Sequence, residues 1–361
     1  MVDPGQSASK AQVAAIDIQQ RLRAASEVLS ADVRSAGSGP ASGAFGKALG
    51  MVTPAVLPFR IGPRGDEVGT ARTDAITLIT SAGNGAAAPL GETFVPASGV
   101  AQITPVPGCP AGDESCGVRV GAAILVIDGR GQSDLFTVTA VAGRAISLQA
   151  LGATSGRPFP PGSIVVPVIV SSYYLRQGTA AEGTQLMSGD GDQADLPLID
   201  HVAGLTVELL GDPHPPRLVL SGPSARAATY GPLPPPVGVD DGRDGWPAGE
   251  NCTFLVSGDE QRSRLPALGT GAVAGPVPLP AAVLTDGPWC PDGSASWRYD
   301  ADLLRVRAVR ITVRVEAGSA MARGADTRLF AHPGTARDPL RRAADQQVVL
   351  DVVPRAMQAG R

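Results

Sequence analysis

Apolar residues recur every three or four positions at Ala15, Ile18, Leu22, Ala25, Leu29, Val33 and Ala36, with Asp17, Arg21, Arg23, Glu27 and Arg34 mostly off that stripe. This is a helical period, and it predicts one long amphipathic helix over residues 6–36. Asp3-Pro4 supplies a start, because proline lacks an N–H that a first turn leaves unbonded anyway, and Gly37 supplies an end. From Ser38 onward short segments alternate or run apolar between Gly/Pro turns, and they predict strands at 75–80, 118–127, 135–141, 145–151, 164–170 and 205–210. Ala142-Gly143-Arg144 is short enough to close a hairpin between two of them. Leu303 to Glu316 alternates Val306, Ala308, Ile311, Val313 and Val315 with Arg305, Arg307, Arg310, Arg314 and Glu316. The alternation slips between 308 and 311, which predicts a bulge or a strand end there. Val348 to Val353 reads as a last strand.

Composition sharpens this picture. With 45 Gly and 33 Pro in 361 residues, long uninterrupted elements beyond the first helix are disfavoured, while 43% hydrophobic residues exclude wholesale disorder. Residues 211–300 are richest in breakers and begin Gly-Asp-Pro-His-Pro-Pro, so they read as an elaborated insertion. The implied division is a helix at 1–37, a β-rich core at 38–210, the insertion at 211–300, and closing strands with a tail at 301–361. Among 30 basic residues only Lys10 and Lys47 are lysines, and the net charge of −4 is mixed along the chain. No dense positive field is available for a phosphate backbone, so nucleic acid is not an expected partner. The longest apolar run, Val120 to Ile127, is far short of the roughly 20 residues of a spanning helix.

Candidate chemistry is sparse. Cys109 and Cys116 are close in sequence, and Cys252 and Cys290 flank a Pro/Gly-rich stretch, so local disulfides are the economical reading, with free thiols or zinc as alternatives. Zinc is disfavoured by the spacing and by the distance in sequence to His201, His214 and His332. None of these histidines stands in a nucleophile or metal motif, and Ser133, Ser221 and Ser224 lack a nucleophile elbow, so no enzyme is expected. The run Asp128-Gly-Arg-Gly-Gln-Ser-Asp134 has no Gly-Lys-Ser/Thr ending and leads into a strand, which makes it a strand-joining turn. Asp190, Asp192 and Asp195, and separately Asp240, Asp241, Asp244 and Glu250, form oxygen-rich loops that could hold calcium or be solvated turns. Trp246, Trp289 and Trp297 fall in the insertion, where they could form its own small core or a recognition surface.

The segment Ile18 to Gly37, ending Asp32-Val-Arg34-Ser-Ala-Gly37, resembles the helix of type IV minor pilins of the PilW type. Asp134-Leu-Phe-Thr-Val-Thr139, Tyr173-Tyr-Leu175, Pro197 to Leu205, Arg307 to Arg314 and Val352-Val-Pro-Arg355 are similar to further segments in the same order. The resemblance implies an α+β fold: a long N-terminal amphipathic helix packed on an antiparallel, pilin-like β domain with a large loop-rich insertion. It implies that residues 6–36 are the soluble half of a longer spine, whose leader and apolar half of about 20 residues are missing from this sequence. The implied role is a subunit near the tip of a type IV pilus that starts assembly through subunit contacts. Ile18, Leu22, Ala25, Leu29 and Val33 would pack both on the chain's own β domain and on neighbouring subunits. The implied partners are other minor pilins, the major pilin and the inner membrane, with the protein reaching a pilus tip or cell surface. A type II secretion minor pseudopilin is the near alternative, and an exported calcium- or carbohydrate-binding β protein is the alternative of another class.

Overall fold

In the computed structural model the described residues are 4–39, 49, 53–67, 69–82, 86–128, 131–152, 154–179, 181–191, 195–218, 229–235, 246–269, 274–291, 298–318, 323–324 and 342–357. The helix, α1, runs Pro4–Ser35. Ile18, Leu22, Ala25, Leu29, Val33 and Ala36 are all buried. Gly37 ends it at φ 72°, a conformation that costs a side-chain-bearing residue more, and its N–H donates to the Ile79 carbonyl at 2.8 Å. The last turn is locked a second time by Thr80 Oγ1, which donates to the Ser35 carbonyl at 2.8 Å.

Ten principal strands follow: β1 (Ala75–Ser81), β2 (Ala123–Ile127), β3 (Ser133–Ala142), β4 (Ala145–Ala150), β5 (Ile164–Gln177), β6 (Thr184–Gly189), β7 (Asp195–Ile199), β8 (Val202–Gly211), β9 (Val306–Glu316) and β10 (Asp345–Val352). Among the described residues, β1 to β7 and three short strands make one ten-stranded antiparallel sheet. Its spine is β5, whose fourteen residues pair with β2, β1 and β6 in turn. β8, β9, β10 and the short strand Val277–Pro278 make a second, four-stranded sheet in which β10 is an edge. The β3–β4 hairpin turns at Gly143, with φ 59°. The β8–β9 ladder has two irregularities, at Val202/Gly204 opposite Val315 and Arg314, and at Leu210/Gly211 opposite Ala308 and Val306, so neither falls between 308 and 311, where the alternation slips. From Val309 to Glu316 the pairing of β9 with β10 is continuous.

The expected α+β arrangement of a long helix on a pilin-like domain is not what the chain forms. Among the described residues it is mostly β, 40% strand and 13% helical, with one α-helix and several antiparallel sheets. The physical reason is that the large sheet is buried on both faces. On β2, Leu125 and Ile127 enter the core that contains the helix stripe, while Ile124 and Val126 enter a second core with Phe94, Phe136 and Phe159. That second core contains no helix residue. Continuous apolar runs such as 120–127 are therefore two-sided strands, the pattern of a sheet covered on both faces. The strand itself begins only at Ala123, after Gly121 turns the chain at φ 83°.

Ile18, Leu22, Ala25, Leu29 and Val33 pack inside the chain with residues of both sheets. Truncating Leu29, which is fully buried, to alanine removes several methyl contacts and leaves a cavity. We expect Leu29→Ala to lower the unfolding free energy by about 3 kcal/mol in urea titration, while Val13→Ala at an exposed helix position changes it by less than about 0.5 kcal/mol.

Candidate functional site

The most chemically loaded place lies where the 211–300 region returns to the sheets. Cys252 and Cys290 are joined there, as are Cys109 and Cys116 in the second core region. Trp289–Cys290 pairs with Tyr299–Asp300, which puts Asp300 directly before the 3-10 turn Ala301–Arg305. Asp300 caps that turn: one carboxylate oxygen accepts from the Asp302 N–H at 2.7 Å and the other from the Gly287 N–H at 2.7 Å. Asp302 and Arg305, both buried, form an ion pair at 2.6 Å, Oδ1 to Nε. The guanidinium also donates to the carbonyls of Asp212 and Pro266. One side chain thus ties the end of β8, the insertion and the start of β9.

Asp286 joins Asp300 and Asp302, with carboxylate oxygens of all three within 4.8 Å of one another. Burial raises the pKa of both Asp300 and Asp302; neighbouring Asp286 adds to the rise, and Arg305 opposes it at Asp302. Such a group can share a proton or contribute hard oxygen ligands to a cation such as calcium. Both Asp300 oxygens are already taken by backbone N–H groups and one Asp302 oxygen by Arg305, so most of its acceptor capacity serves the fold.

A second buried carboxylate, Asp134 at the start of β3, accepts from the Ser155 N–H at 3.0 Å and the Ser155 hydroxyl at 2.7 Å. Desolvation pushes its pKa up to about 6 despite those donors. It lies beside the turn that joins β2 to β3, where the Gln132 N–H donates to Asp128 Oδ1 at 2.9 Å and the Tyr299 hydroxyl donates to the Gly131 carbonyl at 3.2 Å. The described ends of the glycine-rich run, Asp128 and Gly131 to Asp134, are thus held beside the insertion's return, while Gly129 and Arg130 lie outside the described residues.

A shallow cleft elsewhere is lined by Arg60, Arg64, Tyr174 and Asp195. Its cations have partners: Arg60 pairs with Asp66 at 2.9 Å and lies over the Tyr174 ring at 4.8 Å, and Arg64 pairs with Asp195 at 3.0 Å. Partial burial by itself would raise Asp66, but hydrogen bonds from Arg60 and Arg72 hold it below the usual carboxylate range. Asp195, one of the calcium candidates, is thus engaged with arginine as the first residue of β7, and Asp190 stands just past the end of β6. Asp192, Asp240, Asp241 and Asp244 lie outside the described residues, as do Trp297, His332, Ser221 and Ser224. Glu250 pairs with Arg264, whose guanidinium lies over Trp246 at 4.6 Å. Trp246 packs against the main core, whereas the ring of Trp289 lies under the Arg298 guanidinium at 4.8 Å.

His201 sits between β7 and β8 at φ 56°, donating its N–H to the Glu182 carbonyl at 3.0 Å and accepting from the Glu316 N–H at 2.9 Å. That is a structural corner. Ser133 is buried beside Thr53, 3.2 Å between hydroxyls. Asp286, Asp300 and Asp302 are not singled out by the sequence patterning, and Arg305 enters it only as a polar position of the 303–316 alternation, whereas the structure buries it in the 3-10 turn before β9. The local signal was Asp300-x-Asp302 followed by Arg305, which is common in capped turns and acquires meaning only when Asp286 arrives from another segment.

No family model matches the chain, and no curated protein or solved structure matches it. No helix among the described residues is long and apolar enough to cross a membrane.

Because the folded-state pKa of Asp134 is raised above the ordinary 3.8, the folded chain holds this proton more tightly than the unfolded one. Its contribution is full below about pH 4 and is lost as pH rises through about 6, by roughly 2–3 kcal/mol. Asp134→Asn is expected to shrink the fall in stability between pH 4 and pH 8 by about that amount in denaturant titrations at the two pH values. Arg305→Met should cost about 3–5 kcal/mol at pH 8, where Asp302 would be left as an uncompensated buried charge, and less at pH 5, where Asp302 can take up a proton. An equal loss at both pH values would contradict that pairing.

Proposed function

We propose that this chain is an exported assembly subunit of the PilW minor-pilin type, acting through contacts with other subunits and not through catalysis. The observation that carries the reading is one junction. The Asp32 carboxylate of the Asp-x-Arg helix end accepts a hydrogen bond from the Tyr173 hydroxyl of Tyr-Tyr-Leu, so two of the segments on which the resemblance rests meet 141 residues apart. Burial and the nearby Asp32 carboxylate both raise the Tyr173 pKa, which keeps the phenol protonated as the donor. Two disulfides favour an oxidising, exported compartment. The reading concerns the role and not the domain fold.

With the stripe residues buried, subunit contacts on the helix would fall on Val13 and Ile16, large apolar side chains that are 65% and 53% exposed. A type II secretion minor pseudopilin would use the same features. An exported calcium-binding β protein is the second reading, favoured by the grouping of Asp286, Asp300 and Asp302.

The test is deletion of the gene in its source organism, with surface filaments scored by electron microscopy. Filaments should disappear, return with the wild-type gene, and fail to return with a folded Val13→Asp/Ile16→Asp variant. Intact filaments with lost protein export would favour the secretion pseudopilin. Intact filaments and export would end the subunit reading, and a rise in melting temperature on adding calcium to chelator-treated protein would then favour the calcium-binding one.

A further inference from the structure

β10 is an edge strand of eight residues, Asp345–Val352, and among the described residues only β9 pairs with it. Protected edges are short or carry lysine, proline or a bulge, whereas this one has Val348-Val349-Leu350 at its centre and a ladder to β9 without a register shift. Gln347, Val349 and Asp351 lie opposite Arg314, Thr312 and Arg310, on the solvated face. Val349 is 49% exposed there, while Val348, Leu350 and Val352 face the core side. In an antiparallel ladder every second residue turns its N–H and C=O away from its partner, so this edge offers a row of main-chain donors and acceptors.

We propose that this edge pairs with the same edge of a second copy of the chain, making one continuous eight-stranded sheet about a two-fold axis at Val349. The choice of occupant and register rests on self-complementarity. Centred on Val349, antiparallel pairing sets Val349 opposite Val349, Gln347 opposite Asp351 twice, and Val348 opposite Leu350 twice, with no like charges facing one another. Centring on Val348 sets Asp345 against Asp351 twice. Centring between residues sets the helix-covered face of one copy beside the solvated face of the other, because a one-residue slip exchanges the faces. Centring on Leu350 sets Val349 against Asp351 and leaves the start of the strand unpaired. One register satisfies charge, hydropathy and face together, and a two-fold axis makes the contact isologous and closed. A single strand pair buries less than a standard interface, so the dimer is weak. This inference stands independently of the pilus-type role.

Sedimentation equilibrium on the intact chain, from about 10 μM to about 1 mM, covers the range expected of a small interface. A monomer–dimer equilibrium is expected. Val349→Lys, at the two-fold centre, should weaken it by about tenfold or more. Gln347→Arg should strengthen it and Gln347→Glu weaken it by about fivefold each, because each copy's residue faces Asp351 of the other. All four native cysteines are in disulfides, so Val349→Cys adds the one free thiol, and oxidation should yield a disulfide-linked dimer, since directly opposed residues lie about 4.5–5.5 Å apart. These side chains are exposed, and unchanged circular dichroism and melting temperature verify that the variants fold. A chain monomeric throughout, a dimer indifferent to Val349→Lys, the two Gln347 variants shifting it the same way, or no covalent dimer from Val349→Cys would each overturn the proposal.

Discussion

The burial of one apolar stripe on helix α1 is the contact that joins the two sheets of this chain. From Ile18 to Ala36 that stripe meets β1 and β7 of the large sheet and β9 and β10 of the small one, so the two sheets are held partly through it. Direct contact between them adds to this: the Val207 N–H of β8 donates to the Thr73 carbonyl just before β1 at 2.6 Å. A four-stranded sheet with one solvated face is marginal alone, and the helix covers its other face with leucine, valine and alanine side chains. The helix in turn is not left to its intrinsic propensity, which includes several serines and a glycine in the second position; packing holds it.

The second anchor is the Arg305–Asp302 pair. Two buried ions in contact are seldom a net source of stability, because desolvation offsets much of their attraction. Their value here is positional. Arg305 reaches backbone carbonyls on two other segments, and those bonds have one geometry, so the breaker-rich 211–300 region returns to the sheet at a defined place. The Cys252–Cys290 bridge, the Asp300 cap and the Tyr299 hydroxyl on the β2–β3 turn act at the same return. A region with little regular structure is therefore continuous with the main core through Tyr230, Leu265, Leu279 and Leu284.

Buried carboxylates recur at these joints: Asp134, Asp300 and Asp302 all have raised pKa values, with burial the largest cause in each. They oppose the carboxylates held low by arginine, such as Asp66 and Asp74, which favour the folded chain above the acid range. The two sets pull stability in opposite directions with pH. The solvated side of the small sheet shows the contrasting regime, where Glu208, Arg310 and Asp351 form an exposed charge ladder of modest worth.

The helix, its buried stripe and its glycine end were legible from the sequence because a 3.6-residue period and a C-terminal glycine are local signals. Most strands were legible for the same reason, as was the economy of pairing cysteines near in sequence. The fold class was not, because an apolar run such as 120–127 does not say how many faces are covered, and only the second core around Phe94, Phe136 and Phe159 makes this a β-dominated chain. The use of Ile18, Leu22, Ala25, Leu29 and Val33 inside the chain, the grouping of Asp286 with Asp300 and Asp302, and the clamp of Arg305 on Asp212 and Pro266 depend on segments far apart in sequence. No local period encodes such meetings. They are decided by which surfaces the sheets leave free once their hydrogen bonds are satisfied, and that is a property of the tertiary structure alone.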